Sequence, residues 1–441
     1  MPEPARKVLI VSPHFPPINA PDMQRVRLAL PYLRSQGWEP VVLAVAPDLV
    51  EGGVIEPLLE DTYPGDIRVI RVRGISPTAT RWLGIGSLWL RCGRAIRSAG
   101  ERLLETEKFD LVFFSTTQFD AFNLGPVWKA RFGVPYFLDY QDPWVNDYYE
   151  RTHTKPPGGR LKFAFSQWRA RRSEPRVLRG AAGAISVSDA YPATLARTYR
   201  WFEASSMTLL TFGASVEDIA TAKKHKPAES LVPFGDGNFH HVYTGRCGPD
   251  MSRSLTIIFR AFKKYLAARP EEAGRIRFHF IGTDYAPRPF GREWAMPVAK
   301  GEGIGSFVSE HCYRVPYFDA LYYLLNADAL VGIGSNDPTY SASKIYPYIL
   351  ARRPMLLVYN EHSQVLAAAQ KLKSGERYMF VNSGGVEELV DRVAAEWFLG
   401  GGMLKYTGFD EDAFATYSAA GMTRKLAECF DAALRKVHGS S

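Results

Sequence analysis

Lys7-Val8-Leu9-Ile10-Val11 decides the reading of the whole chain. Its apolar residues do not alternate with polar ones, so both faces of such a strand must be covered. That suits the centre of a parallel sheet with helices on either side. Working outward, a helix-like stretch at 22–36 opens with Asp22 after Pro21 and stops at Gly37, ordinary start and stop signals. A second apolar run follows at 40–45. The alternation continues with strand-like runs at 67–72, 110–114, 135–138, 184–187 and 207–210. Helix-like stretches lie between them at 86–106, 118–131, 160–179 and 189–200. Strands alternating with helices predict a parallel α/β sheet.

Composition then shifts. Residues 219–237 carry three lysines, two prolines and two glycines without apolar period, and read as a linker. Beyond them strand-like runs recur at 239–243, 276–281, 329–331 and 355–358. Helix-like runs are at 253–268, 317–326, 342–352, 362–373 and 384–398, and a last helix spans about 410–437. The expected fold is two Rossmann-like, doubly wound domains. The expected boundaries are 1–218, a linker at 219–237, 238–408, and a terminal segment 409–441 that packs back on the first domain. Ligands of such sheets bind outside the carboxyl ends of the strands, which in a pair of domains can face each other across a cleft.

At 441 residues, the length favours two or three domains. An apolar share of 46% and a charged share of 23% exclude a mostly disordered chain. No apolar run approaches the ~20 residues of a membrane-spanning helix, and the first residues lack a signal-peptide pattern. Cys92, Cys247, Cys312 and Cys429 lie far apart, without metal-site spacing. They read as structural thiols in a reducing cytoplasm rather than a zinc cluster or disulfide framework. The net charge of +8 is spread along the chain and no binding module is visible, so nucleic acid is not an expected partner.

Two turns carry chemistry. In Tyr243-Thr244-Gly245-Arg246 the glycine permits close backbone approach and the arginine adds a permanent charge, with Arg253 following at the next helix start. Ser341-Ala342-Ser343-Lys344 places two hydroxyls and an ammonium before a helix, where free N–H groups and the positive dipole end collect. A diphosphate leaving group needs such neutralisation. The carboxylates near these turns show no metal-ligand spacing, so fixed cations rather than a metal are expected.

The chain resembles glycosyltransferases of the two-Rossmann-domain (GT-B) architecture, closest to the family 4 nucleotide-sugar enzymes. The likeness rests on Ser12-Pro13 through Gly37-Trp38, Asp139-Tyr140-Gln141-Asp142-Pro143-Trp144, Ile185-Ser186-Val187-Ser188, Thr211-Phe212-Gly213, Tyr243-Thr244-Gly245-Arg246, Phe280-Ile281-Gly282-Thr283-Asp284 and Ser343-Lys344-Ile345-Tyr346-Pro347-Tyr348. Gln141 stands where the family usually has arginine.

The resemblance implies a nucleoside diphosphate sugar donor (UDP- or GDP-sugar), no further cofactor, and Arg246 and Lys344 on the pyrophosphate. Gly245, Arg253, Ser341 and Ser343 would add to that cradle, with Gly282, Thr283, Asp284 and Pro316 near the nucleoside. Asn19, Asp22, Arg25, Asp142 and Trp144 would meet the acceptor, and Asp142 would also serve catalysis. Two family glutamates are replaced by Thr339 and Pro347, and the usual glycine pair of the first loop by Ile18-Asn19-Ala20.

The implied activity is metal-independent, hexosyltransferase-like and retaining, on a hydroxyl of a glycan or glycolipid, in polysaccharide biosynthesis. The alternatives are a non-catalytic sugar-nucleotide or glycan binder that kept the fold, and a GT-B nucleotide-sugar epimerase. Plainer roles stand beside the sharp ones. Lys344 also reads as a solvated helix-start residue, Arg246 and Asp284 as turn residues, Asp142 as a cap, Arg25 as a carboxylate partner and His14 as a satisfied loop histidine. Residues 155–179 combine eight Lys and Arg with Phe163, Phe165 and Trp168. They suggest an anionic membrane surface as partner and a peripheral place at its cytoplasmic face, or else a solvated helix packed by its aromatics.

Overall fold

The computed structural model describes residues 6–80, 86–146, 159–284, 286, 289–336 and 345–439. The chain forms two compact units, Met1–Gly213 with Ala419–Ser441, and Ala214–Ser418.

In the first unit seven strands form one sheet: β1 (Arg6–Val11), β2 (Trp38–Val45), β3 (Arg68–Val72), β4 (Leu111–Ser115), β5 (Tyr136–Tyr140), β6 (Gly183–Ser186) and β7 (Met207–Leu209). Their order is β3-β2-β1-β4-β5-β6-β7 and every pairing is parallel. Val8 lies opposite Pro40 on one side and Leu111 on the other, so the opening stretch is a central strand. Leu9, Val11, Leu43, Val112 and Phe114 pack with Trp128 on one face. On the other, Val8, Ile10, Val42 and Phe113 pack with helix Gln24–Leu33 and the C-terminal helix Ala419–Gly439. That last helix does fold back on the first unit. Phe430 meets Trp38, Phe113 and Phe137 with ring centroids 5.0–5.3 Å apart, and Trp38 Nε1 donates to Asp431 at 3.0 Å. Burying Phe430 alone contributes roughly 2–3 kcal/mol.

The second unit repeats the plan with six strands: β8 (Phe239–Thr244), β9 (Ile276–Ile281), β10 (Val308–His311), β11 (Ala329–Ile333), β12 (Met355–Asn360) and β13 (Glu376–Phe380). Their order is β10-β9-β8-β11-β12-β13, again wholly parallel. Helix Ser252–Ala268 covers one face through Ile258, Phe259 and Phe262. In each sheet the winding direction reverses once, between β1 and β4 and between β8 and β11. Crevices at those points are where ligands of such folds sit.

Two expectations change. Residues 219–237 do not begin as a linker: helix Val216–Lys224 buries Ile219 and Ala222 and is capped by Ser215, whose Oγ accepts from Asp218 N at 3.0 Å. The stretch 410–437 is not one helix but a single turn at Glu411–Phe414 and a separate helix Ala419–Gly439. The edge strands β10 and β13 are additional to the runs read from sequence.

Candidate functional site

At the carboxyl ends of β1, β4 and β5 lies a buried polar cluster. Asp22 accepts from His14 Nδ1 at 2.9 and 3.0 Å, from the Thr116 hydroxyl at 3.0 Å, and from the Thr117 amide and hydroxyl at 3.1 Å each. Burial raises the Asp22 carboxyl, but the His14 hydrogen bond and charge, with the threonine donors, outweigh it and hold the group below its ordinary value. Asp139 Oδ2 collects Arg25 Nε at 3.3 Å, the Ser115 hydroxyl at 2.8 Å and Gln141 Nε2 at 2.8 Å. Gln141 also reaches the backbone carbonyl of Asp22 at 3.1 Å, so it ties the Asp139 carboxylate to the main chain at Asp22.

The expected acceptor residues divide. Arg25 is fully buried: its guanidinium donates to Asp139 and to the carbonyls of Leu210 and Thr211 at 2.5 and 2.8 Å, and lies 4.7 Å over Phe212. It is a positioning residue that joins helix Gln24–Leu33 to the chain after β7, not an acceptor contact. Asn19 donates to Glu56 at 2.9 Å within a two-residue antiparallel pairing. Trp144 is buried, stacked on Phe119 at 5.9 Å and edge-on to Phe122 at 5.7 Å, so it supports the site from beneath. Asp142 is exposed to solvent. The surrounding protein first, then the Asp22 charge, raise its carboxyl above the ordinary value. Beside this cluster a cavity of about 210 Å³ is lined by Trp89, Gln118, Phe119, Asp120, Trp144 and Arg169 among others.

In the second unit Gly245 follows β8 with φ +135°, a conformation that favours glycine. Its amide, expected to serve the phosphate, instead donates to the Ile281 carbonyl at 2.8 Å. Arg246 projects from this turn and grips Asp250 with both terminal nitrogens, at 2.8 and 3.1 Å, with a third of its side chain exposed. Burial raises the Asp250 carboxyl, but the bonds from Arg246 and Ser335 leave it below its ordinary value. Helix Ile345–Leu350 braces the turn: the Tyr348 hydroxyl accepts the Thr244 amide at 2.8 Å and donates to the Thr244 carbonyl at 3.2 Å. Ser341, Ser343 and Lys344 lie outside the described residues, as does Thr339. Pro347 lies within that helix.

The nucleoside-side residues also prove largely architectural. The Thr283 side chain is buried, its hydroxyl on Glu310 at 2.6 Å, where Glu310 caps helix Ala295–Gly301. The Gly282 amide donates to the His311 carbonyl at 2.8 Å. Asp284 accepts the amides of Ala286 at 3.1 Å and Arg292 at 2.8 Å. Pro316 precedes helix Tyr317–Asn326, where its missing N–H costs nothing. Arg253 reaches the Gly384 carbonyl at 2.5 Å. Among the described residues no cluster of His, Cys, Asp and Glu could hold a metal. The chain's Asp-x-Asp, Asp410-Glu411-Asp412, is a helix start: Asp410 accepts the Ala413 amide at 3.0 Å and pairs with Lys373 at 3.2 Å.

The motifs assign no role to Thr116, Thr117 and Tyr348, nor to Gln167 and Glu174 on helix Arg160–Gly180. Gln167 Oε1 accepts the Asn146 amide at 2.9 Å, and Glu174 accepts the Tyr199 hydroxyl at 2.7 Å and the Val145 amide. Together they fix the segment carrying Asp142. Burial pushes the Glu174 carboxyl up to about 7. The spacing of seven between Gln167 and Glu174 on a helix is the one signal that links them.

The model of the glycosyl transferase 4-like domain matches residues 24–211. HepE of Anabaena, solved with UDP and glucose, is 14% identical, with 97% of this chain and 99% of that one covered and a TM-score of 0.56. A glycosyltransferase of Rickettsia africae is 12% identical over 98% and 99%, with a TM-score of 0.56. A UDP-forming α,α-trehalose-phosphate synthase of Burkholderia xenovorans is 14% identical over 98% and 99%, with a TM-score of 0.54. None of the curated proteins matches the sequence. The first unit thus carries a glycosyl transferase 4-like domain. Over the whole chain these solved structures show the fold alone, two Rossmann-like units of the GT-B kind.

Proposed function

We propose that the protein is a glycosyltransferase that moves a sugar from a nucleoside diphosphate sugar, UDP-sugar first among them, to a hydroxyl of a glycan or glycolipid. The observation that carries this reading is Gly245-Arg246 at the carboxyl end of β8, at the winding reversal of a second Rossmann-like sheet. The names of HepE solved with UDP and glucose and of the UDP-forming synthase support the choice of base.

The second unit holds the donor. Arg246, aided by Lys344 and Ser343, stabilises the charge that grows on the β-phosphate as the sugar–phosphate bond breaks. The acceptor oxygen bonds to the anomeric carbon, and its proton passes to the departing phosphate, so configuration is retained and no strong protein base is needed. Asp142 polarises the acceptor hydroxyl, held in place by Gln141, Trp144 and the Asp22 cluster. Fixed cations do the neutralising, which makes the transfer independent of metal. The reading places the enzyme in the cytoplasm, in polysaccharide biosynthesis, which its four free thiols suit.

Calorimetric titration of UDP, GDP, ADP and TDP, with EDTA present, tests it. Binding of UDP that is lost in Arg246→Ala supports the assignment. Binding of none of the four removes it, and binding without sugar transfer to any glycan acceptor favours the non-catalytic alternative.

A further inference from the structure

Helix Arg160–Gly180 has two faces of opposite character. Gln167, Ala170, Glu174, Val177 and Leu178 are buried in the first unit. Leu161, Phe165 and Trp168 follow one another at spacings of four and three, so they share the outer side, where they are 90%, 60% and 51% exposed. The rings of Phe165 and Trp168 stack at 5.9 Å, and the Arg172 guanidinium, next on the same row, lies 4.6 Å over Trp168. Further along, Arg179 lies 4.3 Å over Trp201, itself 38% exposed. Arg160, Lys162, Arg171 and Arg176 are exposed around this row. The helix has one carboxylate, Glu174, and it is on the buried face.

A solvated face has no use for three large apolar side chains in a row, and burial against the unit's own core is the role of the opposite face. A nucleic acid backbone would take the arginines but leave Leu161 and Phe165 in water. Apolar and aromatic side chains ringed by cations, on a helix with no exposed carboxylate, match an anionic bilayer surface, which offers phosphates above and acyl chains below. We propose that this face of helix Arg160–Gly180 docks the protein on an anionic lipid membrane. Leu161, Phe165 and Trp168 enter the headgroup–acyl boundary, and the arginines lie on the lipid phosphates. Residues 155–158 of the basic stretch lie outside the described residues. Through Gln167 and Glu174 the docked helix also holds the segment that carries Asp142, so that segment is anchored from the membrane-bound element. The proposal stands on this helix alone and does not depend on the transferase reading.

The test is co-sedimentation of the full chain with vesicles of phosphatidylcholine alone and of phosphatidylcholine mixed with phosphatidylglycerol. Binding to the mixed vesicles only, released by salt, is expected. The exposed-site variants F165S/W168S and R172E/R179E should each lose at least ~10-fold of it. The UDP titration, run on the same variants, reports the state of the second unit and is expected to be unchanged. Circular dichroism of the variants, expected to match the parent, separates lost docking from lost fold. No binding to the anionic vesicles at low salt, or equal binding by both variants, overturns the proposal. So does a dimer in solution that F165S/W168S converts to monomer, which would assign the face to a second copy of the chain.

Discussion

His14 and Asp22 face each other at the carboxyl end of β1, the imidazole Nδ1 2.9 and 3.0 Å from the two carboxylate oxygens. The threonine donors of the chain after β4 complete the set, so one carboxylate joins the first loop to the strand next door. Asp22→Asn keeps the shape but turns an acceptor into a donor among donors. It is expected to cost about 1–3 kcal/mol of stability. Under the transferase reading it lowers transfer at least ~10-fold, with UDP affinity unchanged. Urea unfolding and the UDP titration check both parts; a variant as stable as the parent would show that the cluster is not held by its charge.

The Arg246–Asp250 pair makes a second prediction. If the guanidinium serves a phosphate, Asp250 competes with the ligand for the same N–H groups. Asp250→Ala should then leave UDP binding equal or tighter, while Arg246→Ala weakens it at least ~10-fold, as expected for loss of a charge-assisted pair. Parallel loss in both variants would mean that the two side chains act only as a structural unit bracing the turn.

The fold was largely legible because central parallel strands are apolar on both faces, as Lys7–Val11 is. The edge strands Val308–His311 and Glu376–Phe380 were not, because half of each is polar and partly exposed. Strand order could not be read either, since it is set by which crossover lies on which face. Of the site, the positions were legible and the partners were not. Arg25 sits in the first helix and Thr283 and Arg246 just past strand ends, as motif reading suggests. Whether each meets a ligand depends on Asp139, Glu310 and Asp250, which lie up to 114 residues away in sequence.

Packing against Gly100 gives a prediction free of any functional reading. Trp128 is fully buried and stacks on Phe114 at 5.8 Å, and its ring lies against the bare Cα of Gly100 on helix Leu88–Thr106. A methyl there would fall inside the van der Waals surface of the indole. The intrinsic helix gain of Ala over Gly, about 1 kcal/mol, is expected to be outweighed by overpacking. Gly100→Ala should therefore unfold at lower temperature in calorimetry. An unchanged or higher midpoint would mean that Trp128 can shift without loss.

A histidine group in the second unit predicts how stability responds to acid. His240 Nδ1 and His279 Nε2 are 2.9 Å apart, His279 Nδ1 meets the Ser309 hydroxyl at 2.7 Å, and His241 Nε2 accepts from Trp397 Nε1 at 3.2 Å. Burial first, then the neighbouring imidazoles, push His241 down to about 3 and His279 to about 4. Both are therefore neutral when folded, whereas in the unfolded chain they bind protons below about 6.5. Their contribution is complete above that value and is lost as pH falls from it towards 4 and 3. At pH 5 the loss is on the order of 2 kcal/mol for each histidine. His241→Phe removes one of these titrations while leaving the Trp397 N–H without its acceptor. The variant should be less stable than the parent at pH 7, yet lose about 2 kcal/mol less on going from pH 7 to pH 5. Urea unfolding of both proteins across that range decides it. Equal slopes would mean that His241 is reached by solvent before the unit unfolds.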